Sequence, residues 1–300
     1  MPETEVEFSF RFCRQLIRTF GGLLCAEVRK DYQFLRSWPT FPERTGYRPH
    51  ILFPRSFNEK LQWIKLFDRN PVFRIIADKH AVRDFVRDKV GAHVLNELYG
   101  CFNSAEEINI DLLPQSFVLK TTHASGWNII CPDKSRLDWP QARSRLRNWL
   151  ASDYYNLGRE WCYKHIPRRI IAERFLRDDR CDSPNDYKFF CFNGKTRYVQ
   201  VDINRISQHK RLIYTADWVK APFGITHLDK DNSSCPAPAC LDEMLEYAAR
   251  LSCGFRFMRV DFYEISGRPV FGELTCYPGS GGSPFRPREY DFRLGQLLEL

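Results

Sequence analysis

Apolar and polar residues alternate with a period of two along residues 257–275, FMRVDFYEISGRPVFGELT. This predicts two strands around a turn at Ser266-Gly267-Arg268. Met258, Val260, Phe262, Leu274 and Cys276 fall on one face. A loop of three or five residues sets Asp261 opposite Glu273 and Arg259 opposite Thr275 on the other face; a two-residue loop would move Glu273 to the apolar face. Strands are also predicted over 117–121, 128–131 and 169–176, and a hairpin over 186–201 turns on Asn193-Gly194. Helical spacing takes over elsewhere. Ser56-Phe-Asn-Glu59 is a capping box opening a helix to about Phe67. Others run over 78–90, closed by Gly91, from Asp138-Trp-Pro140 onward, and over 241–252, closed by Gly254. Residues 36–50, rich in Pro, Thr and Gly, read as a linker.

Composition narrows this picture. The chain has 300 residues, 43% of them hydrophobic, enough for a large core and two or three subdomains. A net charge of +8 favours an anionic partner such as a nucleotide, an acidic sugar, a membrane surface or a nucleic acid. Lys and Arg are dispersed, which argues against nucleic acid. Eleven cysteines without a C-x-x-C pair predict reduced thiols in a cytoplasmic protein, with Cys235 and Cys240 the closest spacing. No run is apolar enough to span a membrane, but residues 8–30 form a basic amphipathic stretch, with Phe12, Leu16, Ile17 and Phe20 at helical spacing. It can lie on an anionic membrane face or pack on its own domain.

Candidate chemistry gathers around charged residues at element ends. Two carboxylates opposed in a hairpin repel unless a cation lies between them. Mg²⁺ carried by a nucleotide phosphate suits Asp261 and Glu273, the alternative being a solvated hairpin. Lys79 falls in the first turn of the 78–90 helix, where a bound phosphate would relieve its conflict with the helix dipole, unless it is simply exposed. Lys120 precedes Thr122-His-Ala-Ser-Gly-Trp127, a loop able to fold its N–H groups over phosphates or to serve as an ordinary hairpin turn. His123 is a proton shuttle or polar surface, and Asp229-Lys-Asp231 matches the D-x-D of metal-dependent glycosyltransferases.

In order along the chain stand SFNEKLQW, ADKHAVRDFV, LPQSFVLKTTHASG, RRIIAERFL, NDYKFFCFNGK and RVDFY…FGELTCYPGSGG. This series resembles the TupA-like branch of the ATP-grasp superfamily, over roughly residues 50–285. The resemblance implies an α+β ATP-grasp fold, with two lobes clamping Mg-ATP behind an N-terminal helical extension. The implied segments are 1–50 (amphipathic helix and linker), 51–115 (helical), 116–172 (small lobe with lid loop) and 173–300 (C-terminal lobe with the metal hairpin). It implies ATP binding through Lys79, Lys120, the lid residues Thr122, Ser125 and Gly126, the hinge residues Glu173, Phe175 and Leu176, and Asp186 at the ribose. It places Mg²⁺ on Asp261 and Glu273, with Thr275 where many members carry Asn, and assigns Arg259 and Lys120 to catalysis. Pro278, Gly279, Ser280 and Gly281 fall where the ligases hold substrate. The implied activity is a carboxylate–amine ligase working through an acylphosphate in cell-surface polysaccharide biosynthesis, on a uronic acid or amino acid. It would be cytoplasmic, with peripheral contact to the membrane's inner face among the partners considered and nucleic acid not among them. The alternatives are an ATP-grasp kinase acting on a sugar hydroxyl and a glycosyltransferase.

Overall fold

The computed structural model describes residues 26–177, 183–203, 209–226 and 233–300. Helix α1 (Ala26–Ser37) is followed by α2 (Thr40–Thr45), so residues 36–50, expected to be a linker, are packed. The reason is Phe41, which is fully buried edge-on against Tyr47, while Gly46 at φ 81° ends the short helix. The amphipathic stretch before Ala26, with Phe12, Leu16, Ile17 and Phe20, lies outside the described residues.

Helix α3 (Phe57–Phe67) starts on the expected capping box. Ser56 Oγ accepts from Glu59 N–H at 3.1 Å, and Glu59 Oε2 accepts from Ser56 N–H at 3.0 Å. A six-residue helix, α4 (Val72–Ala77), comes next, and α5 (Val82–Lys89) begins four residues later than the sequence suggested. The delay has a local cause. Asp78 Oδ1 accepts from the N–H groups of His80 and Ala81, at 2.8 and 3.2 Å, and this forms a turn. Lys79 therefore sits in that turn and not in a helix, a correction to the expectation from spacing.

Two antiparallel sheets follow. The first contains β1 (Leu98–Phe102), β2 (Phe117–Thr121), β3 (Asn128–Cys131) and β4 (Ile170–Arg174), in the order β1-β4-β2-β3. It is backed by α6 (Trp139–Ala151), with its own apolar cluster around Phe117, Leu119, Leu146 and Ala172. The second contains β5 (Asp186–Phe192), β6 (Lys195–Ile203), β7 (Lys210–Thr215), β9 (Phe257–Ile265) and β10 (Arg268–Thr275), in the order β10-β9-β5-β6-β7. A small ribbon pairs β8 (Gly224–Ile225) with β11 (Phe285–Arg286). Helix α7 (Leu241–Ser252) buries Met244, Ala248 and Leu251 on one face of the large sheet.

The opposite face of the large sheet is divided. At one end Phe190, Phe192 and Phe257 meet Phe57 of α3, with ring centroids 6.4, 5.8 and 4.9 Å away. At the other end β5 and β9 present Asp186, Lys188 and Asp261, and the neighbouring β6 presents Asp202. Helix α8 (Glu289–Leu297) crosses the start of α3 so closely that a Cβ on Gly295 would lie 2.2 Å from Arg55 O.

The β9–β10 turn corrects the loop length expected from sequence. Ile265 pairs with Arg268, leaving only Ser266 and Gly267 in the loop, at φ 52° and 74°. The alternation is rescued by a bulge at Gly272. Phe271 pairs with Phe262, and Glu273 then pairs with Asp261. Thr275 faces Arg259 as the odd-loop register required. Gly272 suits the bulge because a Cβ there would lie 3.1 Å from Asp261 O.

Candidate functional site

The two sheets enclose a cavity of about 440 Å³. The small sheet supplies one wall. Lys120, on β2, and Glu173, diagonally across from it on β4, form an ion pair of 2.7 Å, and Arg83 of α5 reaches the other Glu173 oxygen at 3.1 Å. Lys79 enters from its turn; its N–H donates to Thr122 O at 3.3 Å and its ammonium to Ala124 O, so it grips the loop after β2. Burial, then the nearby Lys120 charge, lowers the Lys79 pKa to about 8 against the pull of Glu273, Glu173 and Asp78. Ser125 and Gly126, exposed at the tip of that loop, also line the cavity.

The polar end of the large sheet makes the facing wall. Alternation puts Asp186 and Lys188 of β5, Gln200 and Asp202 of β6, Arg259 and Asp261 of β9, and Glu273 of β10 on one surface. Arg259 binds Asp261 through two N–H···O bonds of 2.7 Å, and donates to Glu273 Oε1 at 2.8 Å. Lys188 pairs with Asp186 and lies 3.3 Å from Asp261 Oδ2. Burial raises Asp261 to about 6, with Arg259 and Lys188 pulling the other way. Burial also opposes ionisation of Glu273, but Arg259, Lys188 and Lys79 overcome it and hold that carboxyl well below its usual range. Arg259 is kept charged by Asp261 and Glu273 despite its burial.

The structure thus brings together Lys79, Lys120, Ser125, Gly126, Glu173, Asp186, Arg259, Asp261, Glu273, Pro278 and Gly279 around one cavity. Seven other described residues singled out as candidate site residues from the sequence do not line it. Thr122 is fully buried and donates to Pro167 O at 2.7 Å. Thr275 donates to Glu273 Oε1 and accepts from Arg259, both at 3.0 Å, so its hydroxyl supports those groups. Phe175 and Leu176 are half-buried just past β4. Ser280 and Gly281 are held from beneath. The buried Lys65 ammonium donates to Ser280 O and Oγ at 2.6 and 2.8 Å, and Gln62 Nε2 donates to Ser280 O and Gly281 O at 2.9 and 2.7 Å. His123 is buried, with Nε2 3.2 Å from Trp149 O, while Asp229 and Asp231 lie outside the described residues. Arg83, Lys188, Asp202 and Arg211 line the cavity and were not picked out from the sequence. The Asp186/Lys188 and Gln200/Asp202 pairs, each two residues apart in otherwise apolar strands, were the available signal.

The donor set can be tested against Mg²⁺. Among the described residues no group of three or more His, Cys, Asp or Glu is arranged to hold a metal by itself. Mg²⁺ commonly takes one or two carboxylates and completes its shell with phosphate oxygens and water. Asp261 and Glu273 are directly opposed, and among the described residues Glu273 Oε2 has no hydrogen-bond partner, so the pair fits Mg²⁺ arriving with a nucleotide. Eight cysteines among the described residues are free thiols, including Cys235 and Cys240, and no described helix is long and apolar enough to cross a membrane.

A family model described as TupA-like ATP-grasp matches residues 59–299. No curated protein matches the chain. Among solved structures, similarity is found to a D-alanine–D-alanine ligase from Bacillus anthracis in complex with ATP, at 15% identity and TM-score 0.41, covering 67% of this chain and 55% of that one. An L-amino acid ligase from Bacillus licheniformis matches at 12% identity and TM-score 0.47, covering 75% and 49%. An ADP complex of purK, an N5-carboxyaminoimidazole ribonucleotide synthetase, matches at 13% identity and TM-score 0.44, covering 73% and 50%. The chain therefore spans about half the length of these proteins.

Proposed function

The chain belongs to the TupA-like ATP-grasp family, and from that premise we propose that it is an ATP-dependent carboxylate–amine ligase. The observation that carries this reading is the confrontation of Lys79, Lys120 and Arg83 with Arg259, Asp261 and Glu273 across a cavity between two sheets. The lysines bind the ATP phosphates, and the Ser125-Gly126 tip covers them. Asp261 and Glu273 would hold Mg²⁺, which when bound neutralises phosphate charge and orients the γ-phosphoryl group. A substrate carboxylate oxygen attacks the γ-phosphorus, the bond to the β–γ bridging oxygen breaks, and ADP leaves. Arg259 and Lys120 stabilise the charge that develops on the transferred group. The amine nitrogen then attacks the acyl carbon, phosphate departs, the nitrogen loses its proton, and an amide remains. No nucleophile from the protein is required.

The substrate proposed is a uronic acid or amino acid on a cell-surface polysaccharide precursor, handled on the cytoplasmic side and in peripheral contact with the membrane. Support for an acidic ligand comes from the net charge of +8 and from the cavity's several cations. The test is product analysis with Mg-ATP and a panel of uronic and amino acids. ADP, free phosphate and an amide are expected in equal amounts, and Glu273→Gln should reduce ADP release at least a hundredfold. A phosphoester formed without phosphate release would replace the ligase by a kinase.

A further inference from the structure

At the β7 edge of the cavity, away from the β9–β10 hairpin, stands a second basic feature. Arg211 pairs across the sheet with Asp202, which is 1% exposed. Its Nε and one terminal nitrogen, Nη2, donate to the two Asp202 oxygens at 2.6 and 3.2 Å. Gln200 Nε2 donates to Asp202 at 3.0 Å, and His209 Nε2 lies 3.2 Å from it. The guanidinium is therefore fixed along one edge. Of its five N–H groups two are on Asp202, and Nη1 is 3.5 Å from Thr226 Oγ1. The remaining edge, carrying Nη1 and Nη2, makes no other hydrogen bond to a described residue, and Arg211 lines the cavity.

Thr226 adds an independent observation. It is β-branched yet has φ 74°, a conformation rarely adopted by such residues. Its N–H donates to Pro284 O at 2.7 Å, which anchors it to the segment just after the Pro278–Gly282 loop. Thr226, Ser283 and Gly279 all line the cavity beside Arg211. Strained backbone that holds a hydroxyl next to a locked guanidinium is the arrangement expected of a ligand clamp.

We propose that Arg211, locked by Asp202 and assisted by Thr226, is the receptor for a carboxylate of the substrate. The assignment rests on the ligase reading, because the adjoining loop is where that reading seats the substrate. A planar fork with one free edge matches a planar carboxylate in two parallel hydrogen bonds, which a lysine cannot reproduce. Arg211 reaches back over the sheet from β7: its partner Asp202 lies 3.8 Å from Lys188, and Lys188 lies 3.3 Å from Asp261, so a carboxylate held by Arg211 stays within the cavity that Asp261 and Glu273 also line.

The test is calorimetric binding to the full chain saturated with Mg and a non-hydrolysable ATP analogue. Probes are D-glucuronate, D-galacturonate and L-glutamate, with D-glucose as the neutral counterpart and inorganic phosphate as the competing oxyanion. Arg211→Met should weaken the best carboxylate at least thirtyfold. Arg211→Lys, which keeps a cation beside Asp202, should weaken it about tenfold, and Thr226→Val a few-fold. Affinity for the nucleotide analogue should stay within twofold in all three. Loss of nucleotide affinity in Arg211→Lys would assign the residue to the ATP phosphates and overturn the proposal. So would equal binding of glucose and glucuronate, preference for inorganic phosphate, or no saturable binding of any carboxylate to the unaltered protein. Arg211-dependent carboxylate binding without any ADP release would leave the receptor standing and remove the ligase reading instead.

Discussion

Replacement of Lys65 by Met gives a quantitative check on the loop beneath the substrate end of the cavity. Lys65 is fully buried, and its ammonium contacts Ser280 O, Ser280 Oγ and, at 3.3 Å, Gly158 O. Burial lowers its pKa from 10.5 to about 8, although Glu160 and then Cys162 pull it upward. A lysine whose folded pKa lies below its unfolded value binds fewer protons when folded, between those two values. The wild-type chain should therefore gain stability as pH rises from about 8 to 10.5 through this group, and below about 8 the effect is absent. Lowering the pKa from 10.5 to about 8 corresponds to about 3 kcal/mol at completion, or roughly 1.4 kcal/mol per pH unit within the window. Lys79, with its pKa of about 8, titrates over the same range, but it is common to both proteins and cancels in the difference. The assay is urea unfolding of wild type and Lys65→Met at pH 7, 8, 9 and 10. The stability difference, wild type minus variant, should be level from pH 7 to 8 and then widen by between 2 and 3 kcal/mol by pH 10, as an order of magnitude. A difference that stays flat or narrows above pH 8 would refute a buried ammonium as the support of Ser280.

Lys79 supplies a prediction of opposite use. Its pKa of about 8 in the free protein means that phosphate binding must recharge it above that pH. Affinity for a non-hydrolysable Mg-ATP analogue should fall by up to about tenfold per pH unit between 8 and 10, and Lys79→Met should bind weakly without that slope, as measured by calorimetry. Gly295→Ala should destabilise the fold by about 3 kcal/mol, because the added Cβ meets the Arg55 carbonyl and the Ser56–Phe57 backbone rather than a movable side chain; the urea midpoint reads this directly. Phe57→Ala should lose about 3–5 kcal/mol by the same measurement, since four aromatic rings pack around that side chain.

Much of the site was legible because alternation in strands is rigid. The pairing of Asp261 with Glu273 and of Arg259 with Thr275 follows from counting along residues 257–275 once a register is assumed. The means of reaching that register was not legible. A two-residue turn and a bulge at Gly272 cancel each other, and a bulge depends on sheet twist and on the neighbouring carbonyl rather than on a local sequence signal. Capping boxes and the Asn-Gly turn stand out in sequence because their hydrogen bonds close within a few residues. The start of α5 did not, since Asp78 could be read either as a helix cap or as the turn it forms. Arg211 escaped notice because β7 opens with Lys210-Arg211, which reads as exposed charge until Asp202 is seen across the ladder. Helix α4 is too short for its six residues to show a period, and it forms because Phe73 and Ile76 are buried by the rest of the fold.

Phe57 also governs the order in which the chain can be completed during synthesis. Its ring partners Phe190, Phe192 and Phe257 are encoded 133, 135 and 200 residues after it (190 − 57, 192 − 57 and 257 − 57). The whole of the small sheet, from Leu98 to Arg174, is made in the interval. At roughly 5–20 residues per second, the apolar side of α3 waits on the order of 10–40 s for the strand that carries Phe257. Meanwhile the small sheet can close its own cluster from contiguous chain. A ribosome-bound nascent chain ending before Phe257 would thus display a finished small sheet beside an uncovered amphipathic helix, and that helix is the segment a chaperone would find first.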